Sequence, residues 1–227
     1  MNYKNLKKYI YIVLSILVLI LYTKDIDFSG KSHYKEITVI NEPDIKSVLV
    51  NKNYKLPIEY VPNDLTLISN LYAYENKYLR KEAKDAFEQL SRDASTLGYK
   101  IIAVSAYRDY YYQDQLYNNY IKEKGSQYAD KCSARPGHSE HQTGLAVDVM
   151  GSNNDYDHFE NSLEFEWMKN NAHHYGFILR YPENKTKITG FKYEPWHYRY
   201  VGITIANIIY QENITLEEYY DKYINLN

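Results

Sequence analysis

A chain of 227 residues with 44% apolar and 25% charged side chains is long enough to bury one sizeable core, and its composition is not that of a disordered protein. Its net charge of -2 supplies no basic stripe for a phosphate backbone, which excludes nucleic acid as a partner. The single cysteine, Cys132, permits neither a disulfide within the chain nor a thiolate-built metal site, so any bound metal must rest on nitrogen and oxygen ligands.

The chain opens with Lys4, Lys7 and Lys8, followed by the uncharged run from Tyr9 to Tyr22. As a helix that run measures roughly 20 Å, against a hydrocarbon core of about 30 Å. Its length suits an export signal, whereas snorkelling tyrosines and lysines would complete a span. No small-residue cleavage site follows Tyr22, which favours a retained anchor. The positive-inside rule puts the N-terminus in the cytoplasm and everything beyond Asp25 outside. The expected organisation is a basic cytoplasmic N-terminus over 1–8, a membrane anchor or signal core over 9–23, a polar tether over 24–45 and a folded domain over 46–227, acting as a monomer. Within the tether, the apolar stretch Ile37 to Ile40 could add an edge strand.

Helices and strands then alternate. Leu79, Ala83, Phe87, Leu90, Ala94 and Leu97 recur at steps of three and four and end at Gly98, predicting an amphipathic helix. Lys100 to Ala106 reads as a buried strand. Tyr112, Leu116, Tyr120 and Ile121 predict a second helix stopped by Gly125, and Leu145 to Met150 a short strand ending at Gly151. Phe165, Met168, Ala172 and Tyr175 predict a third helix closed by Gly176. Phe177 to Tyr181 and Trp196 to Val201 read as further strands, and Thr215 with Glu218 forms a capping box for a last helix. The order describes an α+β domain with a small mixed or antiparallel sheet and helices to one side.

Two clusters carry chemistry. His141 and Asp148 lie seven residues apart, and Glu194-Pro195-Trp196-His197 follows near the C-terminus. Two imidazoles and a carboxylate would fill three positions of a tetrahedral Zn²⁺, leaving the fourth for water, with Glu194 free to accept that water's proton. His141 by itself could equally be a hydrogen-bonded loop histidine. Asp148 is more telling, because it interrupts the apolar run Leu145-Ala146-Val147-Asp148-Val149-Met150, where a carboxylate is costly to bury unless paired or metal-bound. Pro195 holds Glu194 extended, yet residues three apart on a regular strand face opposite ways, so one irregularity is required for Glu194 and His197 to share a site. Of the other histidines, His173 and His174 fall in the last turn of a predicted helix, where a cation meets the dipole. His33 and His158 are expected at the surface. His138 fits either a support for a metal ligand or a surface loop.

The segments Ser105-Ala106-Tyr107-Arg108, Ser139-Glu140-His141-Gln142-Thr143-Gly144-Leu145-Ala146-Val147-Asp148 and Glu194-Pro195-Trp196-His197 closely resemble the VanY-type D-alanyl-D-alanine carboxypeptidases, zinc enzymes of the bacterial cell wall. The resemblance begins near Leu49-Val50-Asn51-Lys52 and runs through Tyr198-Arg199-Tyr200-Val201-Gly202. It implies that His141, Asp148 and His197 bind zinc, that Glu194 is the general base and that Arg108 clamps the substrate. It also implies that Gln113, Ser139 and Tyr181 bind the peptidoglycan stem peptide. The reaction implied is removal of a terminal D-Ala at the outer face of the cell membrane or in the wall. Related enzymes with nearly the same motifs cut tetrapeptide stems as L,D-carboxypeptidases, and an endopeptidase or a non-catalytic wall-binding module are further alternatives.

Overall fold

A computed structural model describes residues 34–156 and 158–224. The basic N-terminus, the apolar run over 9–23 and His33 lie outside the described residues. Helix α1 (Lys81–Thr96) buries Ala83, Phe87, Leu90 and Ala94, the stripe expected from their spacing. Full burial of Phe87 and of Leu90 contributes about 1.5–3 kcal/mol each, and of the alanines less. Leu79 departs from the expectation. It is fully buried, but it belongs to strand β4 (Tyr78–Arg80), which pairs antiparallel with β3 (Leu65–Leu67). The backbone stays extended through Arg80, so the helix starts one residue later. The stretch Ile37 to Ile40 supplies β1 (Thr38–Val39), which pairs in parallel with β2 (Tyr54–Lys55) in a separate two-stranded sheet, away from the main one.

The main sheet is formed by β5 (Ile102–Ser105), β6 (Ala146–Met150), β7 (Phe177–Leu179) and β8 (His197–Tyr200) in the order β5-β6-β8-β7, every pairing antiparallel. Between β5 and β6 lie α2 (Tyr110–Lys124) and α3 (Ser126–Cys132). Helix α2 begins two residues before the predicted start, because the Asp109 side chain accepts the Tyr112 N–H at 2.7 Å. The predicted third helix divides into α4 (Leu163–Asn171) and a tighter 3₁₀ turn, Ala172–Tyr175, ending at Gly176. The chain closes with α5 (Thr186–Thr189), α6 (Ile203–Glu212) and α7 (Leu216–Tyr223), the last opened by the expected box. Glu218 N–H donates to Thr215 Oγ1 at 3.2 Å, and Thr215 N–H donates to Glu218 Oε2 at 2.7 Å.

One face of the main sheet carries Val147, Val149, Tyr198 and Tyr200 into a core shared with Phe87 and Leu90 of α1 and with Phe165 and Met168 of α4. Strand alternation therefore turns Asp148, His197 and Arg199 to the other face. Among the described residues, no helix is long and apolar enough to cross a membrane.

Candidate metal centre

Asp148 and His197 stand directly opposite each other in the β6–β8 register. Both are buried. On the other flank an irregularity in β5 brings Ser105 opposite Asp148, and the chain continues through Ala106 to Arg108. His141 arrives on the 3₁₀ turn Glu140–Thr143, which Gly144 ends in the left-handed region at φ 66°. A Cβ at Gly144 would lie 2.8 Å from Leu65 Cδ2 and 3.0 Å from Arg80 Cγ, so any larger residue would add left-handed strain and force those side chains to shift.

The three side chains fit a metal ion. One ligand atom from each of His141, Asp148 and His197 lies within 4.8 Å of the others, the one such group of histidine, cysteine or acid side chains among the described residues. His141 Nε2 is 3.3 Å from Asp148 Oδ2, and His197 Nδ1 is 2.8 Å from Asp148 Oδ1. The outward nitrogens are already occupied. His141 Nδ1 donates to the Ala106 carbonyl at 2.6 Å, and His197 Nε2 lies 3.3 Å from Glu140 Oε2. The Ala106 carbonyl selects the His141 tautomer that aims its Nε2 lone pair inward, the usual arrangement of a metal-binding imidazole, while Glu140 offers His197 the matching outer acceptor. A dry pair of histidines and one carboxylate is a donor set suited to Zn²⁺ with an open position.

The electrostatics favour ligation at Asp148 and His141, whereas at His197 burial is overcome by the hydrogen bonds to Asp148 and Glu140, which raise the ring to about 9, so a metal would have to displace its proton. Burial disfavours the Asp148 anion, but His141 and His197 outweigh it and hold the carboxyl well below its usual range. For His141, burial leads and the charge of Arg108 adds to it, keeping the ring neutral and able to act as a ligand. Glu194 is half-buried, and its withdrawal from water raises its carboxyl to about 7 against the opposing influence of His197. The required irregularity is a turn. His197 N–H donates to the Glu194 carbonyl at 3.1 Å with Pro195 at the second position, which returns Glu194 to the side of the strand that His197 faces.

Around these groups opens a pocket of about 320 Å³. Arg108, Ser139, Tyr181 and Glu194 line it with the three candidate ligands. The Tyr181 ring stacks on the His197 imidazole, centroids 4.9 Å apart. Arg108 Nε is buried and, among the described residues, has no acceptor. Gln113 is not part of the lining. It is buried in α2, where its Nε2 donates to Ser133 Oγ at 3.1 Å and to the Ala134 carbonyl at 2.7 Å, and it thereby supports the wall that Ser133 and Ala134 form. His138 is neither at the surface nor beside a ligand. It is buried against Tyr34, and its Nδ1 lies 2.8 Å from the Asn51 carbonyl. His158 is exposed beside Asp155, and His173 is buried against the Tyr210 ring.

The family profile described as VanY, D-alanyl-D-alanine carboxypeptidase, matches residues 76–203, more than half the chain. The chain belongs to the VanY family of D-alanyl-D-alanine carboxypeptidases. It is 40% identical over 178 residues to VanXYC of Enterococcus gallinarum, a bifunctional D-Ala-D-Ala dipeptidase and carboxypeptidase, covering 76% of this chain and 92% of that one. Among solved structures it is similar to the LD-carboxypeptidase LdcB, with a TM-score of 0.78 and 42% identity over 82% of this chain and 90% of that chain. It is also similar to the vancomycin-resistance D,D-pentapeptidase VanY solved with Zn(II), with a TM-score of 0.67 and 33% identity over 77% and 98%.

This VanY-family chain also holds functional neighbours that sequence reasoning missed. Glu140 Oε1 accepts from Arg180 Nε at 2.7 Å and from Arg199 Nη1 at 2.8 Å, while Arg180 makes a bidentate pair with Glu217 of α7 at 2.7 and 2.8 Å. Burial opposes the Glu140 anion, and the two guanidiniums with His197 overcome it, holding the carboxyl well below its usual range. The available signal was an acid adjoining a candidate ligand. Nothing in the order of residues ties it to arginines 40 and 59 positions away.

Proposed function

We propose that this chain is a zinc-dependent D-alanyl-D-alanine carboxypeptidase that removes the terminal D-Ala from peptidoglycan stem peptides. The observation that carries the reading is the convergence of His141, Asp148, His197, Glu194 and Arg108 on one pocket in a chain of the VanY family. His141, Asp148 and His197 hold the metal. Bound there, Zn²⁺ supplies Lewis-acid activation of water and of the scissile carbonyl. Glu194 accepts the proton of the attacking water and returns it to the departing amine of D-Ala. Arg108 pairs with the terminal carboxylate, its planar guanidinium matching that anion, while Ser139 and Tyr181 contact the stem and Gln113 holds the wall behind it. The catalytic unit is a single domain over 46–227, with helices to one side of its sheet. Residues 9–23 anchor it as a monomer to the outer face of the bacterial membrane, a reading that rests on the basic residues before that apolar run. Release of the intact chain from membranes by high salt alone would refute the anchor.

A specific observation favours a second reading. The likeness to LdcB, 42% identical at TM-score 0.78, exceeds that to the D,D-pentapeptidase VanY, 33% at 0.67, which supports L,D-carboxypeptidase activity on tetrapeptide stems. The deciding experiment measures D-Ala release by the zinc-loaded chain from matched pentapeptide and tetrapeptide stems. Faster release from the pentapeptide establishes D,D specificity, faster release from the tetrapeptide establishes the L,D reading, and release from neither refutes both.

Two consequences are open to direct test. Arg108→Ala is expected to lower kcat/KM by about 10²- to 10³-fold. Amidating the substrate's C-terminus should cost the wild type a similar factor and the variant little, because both changes remove the same pair. Equal tolerance of the amide by the wild type would point to an endopeptidase. Chelation is expected to abolish release and to lower the Tm. Metal at a thousandfold over its dissociation constant stabilises by about 4 kcal/mol, or on the order of 10 °C for a domain this size. Calorimetry with and without added Zn²⁺ checks this, and an unchanged Tm would contradict a bound structural charge at the site.

A further inference from the structure

Tyr198 and His197 are neighbours on β8, so they point to opposite faces of the sheet. On the Tyr198 side lies a second cavity of about 620 Å³, larger than the metal pocket and sharing no residue with it. Its walls are largely apolar, built from Phe165 and Met168 of α4, Phe177 of β7 and Ile209 of α6. Three polar atoms interrupt them. Tyr198 Oη, His173 Nδ1 and Glu160 Oε2 are all buried, all belong to side chains lining this cavity, and among the described residues none has a hydrogen-bond partner. Tyr198 is 0% exposed and His173 6%.

Buried polar groups are nearly always satisfied, because each one left unpaired costs about 1–3 kcal/mol. Three unsatisfied groups on residues that line one mainly apolar cavity are therefore the pattern of a ligand site, a greasy body with a few directed polar contacts. The chemistry of the three narrows the ligand. Glu160 is the one acid among the three, while Tyr198 offers a hydroxyl and His173 a ring nitrogen, a set suited to a donor group that carries positive charge. The surroundings are also acidic. Tyr193 lines the cavity, and after burial the charges of Glu160, Glu183 and Glu166 push its hydroxyl up to about 12, against Lys169 as the one cation in the lining. A divalent metal does not fit, since His141, Asp148 and His197 form the one cluster of histidine and acid groups close enough to hold an ion among the described residues.

We infer that this cavity is a second ligand site, independent of the carboxypeptidase reading, and that it binds a small amphipathic amine. The hydrocarbon body lies between Phe165, Met168, Phe177 and Ile209, and the ammonium group donates to Glu160 Oε2, His173 Nδ1 and Tyr198 Oη.

The test is a methyl NMR titration of the zinc-loaded full chain with benzylamine, using benzyl alcohol as the neutral control. Saturable shifts at the Met168 and Ile209 methyls are expected, with benzyl alcohol at least about tenfold weaker. Glu160→Gln and Tyr198→Phe, which preserve shape, should each weaken benzylamine by about tenfold while leaving the rest of the methyl spectrum in place. Should either variant fail to fold, Ile209→Trp, which fills the cavity from its rim, replaces it and should abolish the shifts. Non-saturating shifts, equal binding of the alcohol, or undiminished affinity in folded variants would overturn the proposal.

Discussion

Glu194→Gln is expected to reduce kcat by about 10²- to 10⁴-fold while the chain retains its zinc. The substitution keeps the size and hydrogen-bonding outline of the side chain and removes its ability to take a proton. Glu194 is not one of the three clustered ligands, so metal content should be unchanged. A parallel loss of zinc would move Glu194 from proton carrier to ligand. The pH profile supplies a second check. Burial sets the Glu194 carboxyl at about 7, and a nearby dication favours the carboxylate and draws that value down. A base acts when unprotonated, so kcat/KM should fall on the acid side with a midpoint below about 7, and this limb should vanish in Glu194→Gln. An acid limb that persists in the variant would assign the titration to another group.

Glu140→Gln should be the most damaging single change to stability near the site. Glu140 and Glu217 balance Arg180 and Arg199 in a buried set of four charges, and Glu140 is the member both guanidiniums share. Removing its charge leaves a buried excess cation at a cost of about 3–5 kcal/mol, on the order of 10 °C in Tm. The His197 ring also loses the acceptor that orients it, which should weaken zinc binding by about 10- to 100-fold. Urea denaturation and a competitive zinc titration measure the two effects separately. Because the folded-state carboxyl lies below its unfolded value, its contribution is present above about pH 4.3 and declines as pH falls through the folded-state value. The variant should therefore lose less stability than the wild type between neutral and acid pH. A variant as stable as the wild type would show that the arginines find other partners.

The same four charges connect distant parts of the chain. Arg199 Nη2 donates to the carbonyls of Lys46 at 3.0 Å and Val48 at 2.8 Å, and Arg180 reaches Glu217 in the last helix. The stretch around Lys46 and Val48 and helix α7 are thus fastened to the strand that carries His197. Substitutions in either are expected to act on His197 through this network.

Much of this molecule is legible in the order of its residues because the signals are local. The apolar stripe of α1, the capping box at Thr215 and the intrusion of Asp148 into an apolar strand each depend on side chains a few positions apart. The last also identified a site residue, since a carboxylate between Val147 and Val149 must either be paired or bind an ion. The motif pair around His141 and His197 likewise marked residues, Glu194 among them, that the fold brings to one pocket. The sequence could not determine which way these residues point. Tertiary structure decided it through the Pro195 turn that joins Glu194 to His197, the β6–β8 register that sets His197 against Asp148, and the Gly144 reversal that delivers His141. It alone also decided that Leu79 is a strand residue, that Gln113 supports the pocket wall, that His138 is buried, and that Glu140 is held by two arginines. Those outcomes depend on pairings across tens of residues, where the energy comes from burial and charge neutralisation after the chain has closed, and a linear pattern carries no record of which groups will meet.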